Sequence, residues 1–165
     1  VTAIVAVAGP GTAPAFPPPA GPAVPEQDGH SVQAGADPAR LLSFPAGLPG
    51  FPGCRHFQLE RVPGSSLLLL QSLDDAGPSF FVLPLPGGDS LIRPMDRLAA
   101  CRSVGLPPCD TDFLAIVTAR RSHAALELFA NLRAPVVIDT RRRIGAQIVL
   151  ADAAYPLRHP VVAAA

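Results

Sequence analysis

Residues 126–150 read LELFANLRAPVVIDTRRRIGAQIVL, and the fold class turns on this stretch. Leu126, Leu128, Ala130 and Leu132 alternate with Glu127, Phe129 and Asn131. Successive side chains of an extended chain point to opposite faces, so a period of two marks a strand. Apolar runs at 136–138 and 144–150 follow, on either side of a polar stretch that holds Arg141, Arg142 and Arg143. That is the layout of two strands joined by a solvated tip. Working toward the N-terminus, Phe57-Gln58-Leu59-Glu60 alternates, and residues 67–70, 80–83 and 113–117 are short apolar runs. Pro63-Gly64, Asp74-Asp75-Ala76-Gly77-Pro78 and Pro86-Gly87-Gly88-Asp89 punctuate them. Each is a turn signal, because glycine supplies positive φ while proline fixes φ and withholds a donor.

One segment breaks the rhythm. Residues 94–104 carry Met95, Leu98, Cys101 and Arg102 at helical spacing, with Pro94 at the start and Gly105 just past the end. Proline is favoured in the first helical turn and glycine after the last, so this is one short helix. About seven strands and a single helix in a chain that has room for one core argue for a mainly β fold. The expected architecture is a small closed or partly open antiparallel β-barrel, because closure removes the unpaired edges that all-β chains must otherwise protect.

The first forty residues differ in kind. They hold eight prolines, five glycines and a single aromatic residue, Phe16. Such a composition buries too little apolar surface to offset its ordering entropy, so residues 1–40 are expected to be a disordered Pro/Ala-rich segment ahead of one domain at 41–162. Residues 1–8 are apolar but have no basic residue before them, and the layout of a secretory signal is missing. A cytoplasmic protein is expected. Cys54, Cys101 and Cys109 are an odd set without disulfide-framework spacing and are read as reduced thiols.

Thirteen basic residues, every one an arginine, balance thirteen acidic ones, and the sequence pI is about 7.1. A protein that neutralises phosphates carries a strong basic excess, so no direct nucleic-acid partner is expected. A mimic of RNA would instead be strongly acidic. Mean hydropathy is +0.32, much of it from alanine, and no window has the length of a membrane span.

Cys54-Arg55-His56 offers two metal ligands where structural zinc needs four with close paired spacings, so neither metal nor cofactor is expected. Arg120-Arg121 follows one expected strand, and Arg141-Arg142-Arg143 caps a hairpin. The bland reading of both is solvated charge, and the sharper one is contact with an acidic partner. His159 with Asp152 or Asp74 would be the makings of a catalytic pair. No Gly-x-Ser-x-Gly, Walker or His-Glu-x-x-His motif accompanies them, so no small-molecule substrate is expected.

Five collinear pieces carry a family resemblance. They are Phe44-Pro45-Ala46-Gly47-Leu48-Pro49-Gly50-Phe51, Leu70-Gln71-Ser72-Leu73-Asp74-Asp75, Leu114-Ala115-Ile116-Val117-Thr118, Asn131-Leu132-Arg133-Ala134-Pro135-Val136-Val137-Ile138-Asp139, and Gln147-Ile148-Val149-Leu150 with Tyr155-Pro156-Leu157-Arg158-His159-Pro160. Together they resemble the flagellar assembly factor FliW family from about Leu41 to Val161. The Pro/Ala-rich first forty residues stand outside the resemblance, and Asp139 stands where the family commonly has asparagine.

The resemblance implies a non-catalytic partner switch: binding to flagellin, and binding to the translational repressor CsrA so that repression of flagellin translation is lifted allosterically. A FliW-fold protein that binds flagellin alone is the neighbouring alternative, and a small β-barrel enzyme the alternative from another class. Asn131 and Gln147 are expected to tie strands and turns together through their amides. For partner contact, Gln71, Ser72, Asp74 and Asp75 form an acceptor-rich loop with a rigid Gly77-Pro78 exit, and Arg158 and His159 lie in a proline-flanked tail.

Overall fold

The computed structural model describes residues 40–74, 76–88, 91–121 and 126–161. The expectations placed on residues 1–39, Asp75 and Asp89 lie outside them. Nine strands, one α-helix and a single-turn 3-10 helix at Pro108–Asp110 are present among the described residues: β1 (Leu41–Ser43), β2 (His56–Arg61), β3 (Leu68–Ser72), β4 (Ser79–Leu85), α1 (Pro94–Ser103), β5 (Thr111–Arg121), β6 (Leu126–Ala130), β7 (Val136–Asp139), β8 (Ile144–Gln147) and β9 (His159–Val161).

The strands run β4-β3-β2-β1-β8-β7-β5, and a further pairing of β4 with β5 closes them into a ring. This is the expected small barrel. β5 has eleven residues and serves three neighbours. Residues 113–117 pair with β4, 111–114 with β7 and 117–121 with β6, so β6 and its partner β9 leave the ring as a flap. One detail departs from an all-antiparallel sheet: β1 meets β8 in parallel at Ser43 and Ile144.

Composition along β4, β5 and β7 explains the layering. Phe80, Val82, Leu114, Val136 and Ile138 join Phe44, Phe57 and Leu70 in the barrel interior. The alternating positions Leu85, Phe113, Ala115, Val117 and Val137 pack outside it, beneath α1 and the flap, with Ile92, Cys101, Leu132 and Tyr155. A strand buried on both faces has no reason to alternate, which is why 113–117 and 136–138 are continuous apolar runs. The single core expected from length is therefore two apolar clusters on opposite faces of shared strands.

Local chemistry sets the joints. Gly47 adopts φ +66°, and a Cβ there would lie 2.5 Å from the Phe51 carbonyl oxygen. Only glycine allows the turn that returns Phe44 to the interior, where its ring meets Phe57 edge-on at 4.9 Å. Gly145 on β8 leaves room for that same Phe44 ring, 2.4 Å from where a Cβ would stand. α1 matches the expected helix: Pro94 opens it, Ser103 closes it, and Gly105 follows at φ +69°.

Two readings are corrected in detail. Arg120 and Arg121 belong to β5 itself, whose last residues pair with β6. β8 ends at Gln147, because the Ile148 and Leu150 amides turn aside to the Pro135 and Arg133 carbonyls. The proline-flanked tail supplies an edge strand, β9, with Pro160 opposite Phe129. An edge position tolerates a residue without an N–H.

Candidate binding surfaces

The Gln71–Asp75 loop turns its acceptors inward. Asp74 is buried, and its carboxylate accepts hydrogen bonds from the Arg55 amide (2.6 Å), the His56 amide (2.8 Å) and His56 Nδ1 (3.0 Å). Burial by itself would raise the Asp74 pKa. The His56 and Arg55 donors outweigh it and hold the carboxyl below the ordinary aspartate value. Ser72 is also buried, and its hydroxyl accepts from the Asp74 amide at 3.2 Å. Gly77 closes the loop so tightly that a Cβ there would sit 2.1 Å from Ser72 Oγ. Ser72 and Asp74, expected in a loop for partner contact, turn these acceptors inward: Asp74 pins the loop to the start of β2, and Ser72 holds the Asp74 amide within the loop. Gln71 is half-buried on β3, with its side-chain oxygen 3.4 Å from Gln58 Nε2.

Arg158 and His159 sit on the other side of the sequence map, at the flap. Arg158 is exposed and lays its guanidinium over the Phe129 ring at 5.3 Å, while His159 is half-buried opposite Ala130. Leu157, next to Arg158 in the chain, is exposed to 62%, which leaves apolar surface next to an aromatic-backed cation.

A cluster that sequence reasoning missed joins the tail to α1. Tyr155 Oη donates to Asp96 Oδ2 at 2.5 Å and accepts from the Arg93 amide at 3.1 Å. The Arg93 guanidinium bonds Asp96 Oδ2 at 2.7 Å, pairs with Asp152, and covers the Tyr155 ring at 5.6 Å. Asp96 is held below its usual pKa by the Tyr155 hydroxyl first and Arg93 second; for Asp152 the Ala154 amide leads and Arg93 follows. Asp96 in the first turn of α1 was the visible signal, since an acid there favours the helix. Its partner lies 59 positions away.

The remaining motif residues are scaffold. Asn131 Oδ1 accepts from the Arg133 and Ala134 amides, both at 3.0 Å, and Gln147 Nε2 donates to the Ala134 carbonyl at 2.9 Å. Asp139 does for the β7–β8 turn what an asparagine would do, accepting from the Arg141 and Arg142 amides at 2.9 and 2.8 Å. Its carboxylate also has Arg142 Nε at 3.9 Å. The catalytic pairing is not assembled: Asp74 is engaged by His56 and Asp152 by Arg93 and Ala154, and neither meets His159 among the described residues.

One end of the barrel carries a groove of about 1080 Å³ between β1, β2 and the α1 region. Leu42, Leu59 and Leu114 contribute apolar surface, and Arg40, Arg61 and Arg143 stand among its lining. Cys101 and Cys109 line it as well, the first buried and the second exposed. No helix among the described residues is long and apolar enough to cross a membrane.

Comparison with known proteins places this geometry. A family model described as FliW protein matches residues 27–87 and 99–161. The match starts ahead of β1, so part of the Pro/Ala-rich segment, set outside the resemblance on sequence, falls within the family pattern. The flagellar assembly factor FliW of Carboxydothermus hydrogenoformans is 34% identical over 128 residues, 76% of this chain and 81% of that protein. Those of Natranaerobius thermophilus and Azoarcus sp. are 30% and 34% identical, covering 74% and 67% of this chain and 82% and 80% of theirs. A crystal structure of the flagellar assembly factor FliW superposes with a TM-score of 0.59 at 21% identity, over 77% of this chain and 89% of that one. At that identity the structural likeness speaks for the barrel fold.

Proposed function

The chain belongs to the FliW family of flagellar assembly factors, and on that premise we propose that it is a cytoplasmic, non-catalytic adaptor that binds flagellin and the repressor CsrA. The observation that carries this reading is the family match, which spans both halves of the barrel in order. In the proposed switch, flagellin occupies the protein until it is exported, and the released protein then captures CsrA and lifts repression allosterically. A formal net charge of zero supports that mode over imitation of RNA.

The binding unit in this reading is residues 41–162. Because Ser72, Asp74, Asn131, Gln147 and Asp139 spend their polar atoms inside the fold, partner contact falls to loops, the helix and strand edges. Of the residues singled out in sequence, exposed Arg158 and half-buried His159 follow exposed Leu157 on the flap, and we place a partner contact there.

Isothermal titration of the full chain against monomeric flagellin and against CsrA tests the reading, with Arg158→Glu as the interface variant. Binding of both partners, weakened by the variant, is the expected result. Binding of flagellin alone would establish the chaperone-like alternative, and binding of neither would overturn the proposal.

A further inference from the structure

Arg120 and Arg121 end β5, and with Arg158 they place three exposed cations at the flap against a single acid, Glu127. None of the three closes an ion pair among the described residues. Register sorts them by face. Val117, Ala119 and Arg121 stand opposite Ala130, Leu128 and Leu126, and Val117, Ala130 and Leu128 of this set pack in the outer cluster. Side chains alternate along a strand, so Thr118 and Arg120, opposite Phe129 and Glu127, share the other face. Pro160 of β9 joins them across from Phe129. On this face Arg120, Glu127 and Pro160 are exposed and Thr118 is half-buried. Phe129, also half-buried, belongs to neither apolar cluster of the described residues, and its ring carries the Arg158 guanidinium at 5.3 Å instead. Arg120 is the diagonal neighbour of Phe129 across the ladder, a separation of roughly 7–8 Å that a long side chain covers.

We propose that this face, Phe129 with Arg120 and Arg158, docks an acidic segment of a partner protein, which sets an apolar side chain on the Phe129 ring and carboxylates on the two guanidinium groups. Charge complementarity selects the occupant, because three arginines face one glutamate in a chain whose formal net charge is zero. A guanidinium lying on an aromatic face is weakly hydrated, and its planar fork matches a carboxylate. Nucleic acid fits less well: platforms for single strands combine several stacking rings with a groove that tracks phosphates, and here there is one ring and no basic excess overall. The inference rests on the adaptor reading and adds to it the chemistry of the partner's surface.

The composition supplies the probe. The chain has no lysine, so an introduced one is its sole side-chain amine. Arg158→Lys and Arg120→Lys keep the charge. Each is mixed as the full chain with monomeric flagellin or with CsrA and treated with a water-soluble carbodiimide, which joins an amine to a carboxylate in contact with it. The expected product with at least one partner is an amide between the introduced amine and a partner Asp or Glu, lost in high salt. In isothermal titration Arg120→Glu should weaken that same partner several-fold, with far-UV circular dichroism unchanged. Undiminished binding with no such amide in either lysine variant would overturn the proposal and leave the adaptor reading standing. Binding of neither partner by the unaltered chain would remove that reading and this inference with it. An amide to Glu127 alone or to a second copy would also overturn it, and so would binding of an oligouridine that Phe129→Leu weakens, which would assign the face to nucleic acid.

Discussion

Asp74 carries three hydrogen bonds from donors 18 and 19 positions away, and its neighbour Ser72 holds the next amide in line. Removing that carboxylate leaves two backbone amides and an imidazole without their acceptor in a part-buried site, so Asp74→Ala should cost about 2–4 kcal/mol. Asp74→Asn, which keeps one acceptor oxygen, should cost less, and urea titration followed by circular dichroism orders the two. The same group sets an acid limit. A carboxyl held below its ordinary pKa stabilises the fold fully above the unfolded value, about 4, and that contribution is lost as pH falls through the lower folded value. Melting temperature should therefore be level from neutral pH down to about 5 and fall below about 4, with a shallower fall in Asp74→Asn. Little of this was legible beforehand. An acidic pair before Gly-Pro looks alike whether its acceptors face water or two distant amides, because local sequence records the turn and not what packs behind it. Asn131 was legible for the opposite reason: its partners, the Arg133 and Ala134 amides, are two and three residues away.

At the level of elements, what could be read was what repeats locally. The apolar runs of β3, β4, β5 and β7, the alternation of β6 and the Pro/Gly boundaries of α1 each follow from a rule that acts within a few residues. β1 and β9 have three residues each and owe their extended form to the strands beside them, so no period could announce them. The attachment of the tail to α1 was hidden for the same reason. Arg93 at the helix start makes no side-chain cap, and Tyr155 supplies an acceptor to its amide while donating to Asp96 in the first turn. Tyr155→Phe keeps the ring under Arg93 and deletes both hydrogen bonds. Amide exchange at Arg93, Asp96 and Arg97 should quicken in that variant, with the β2–β3 amides unchanged. An unaltered helix start would show that Pro94 and packing alone fix it. Gly145→Ala acts on a different joint: with the Phe44 ring 2.4 Å from the added methyl, it should destabilise by about 1–3 kcal/mol, measurable in the same urea titration.

For the molecule as a whole, the decisive fact is that the two apolar clusters share their strands. Leu114 faces the barrel interior while Phe113 and Ala115, on either side of it, face the outer cluster, and Val136, Val137 and Ile138 divide in the same way. Neither cluster can be exposed without pulling β5 away from β4, β6 or β7, and that breaks the ladder that closes the ring. The barrel and its flap should therefore melt as one unit even though their side chains do not mix. The composition provides separate probes, because Tyr155 is the sole tyrosine, tryptophan is absent, and Tyr155 lies in the outer cluster against α1. Near-ultraviolet dichroism at the tyrosine band reports that cluster, and far-ultraviolet dichroism reports the sheet. Coincident thermal transitions in the two signals are expected, as for a cooperative single domain. A tyrosine transition several degrees below the sheet transition would mean that α1 and the flap detach first, leaving the seven-stranded ring to stand without its outer layer.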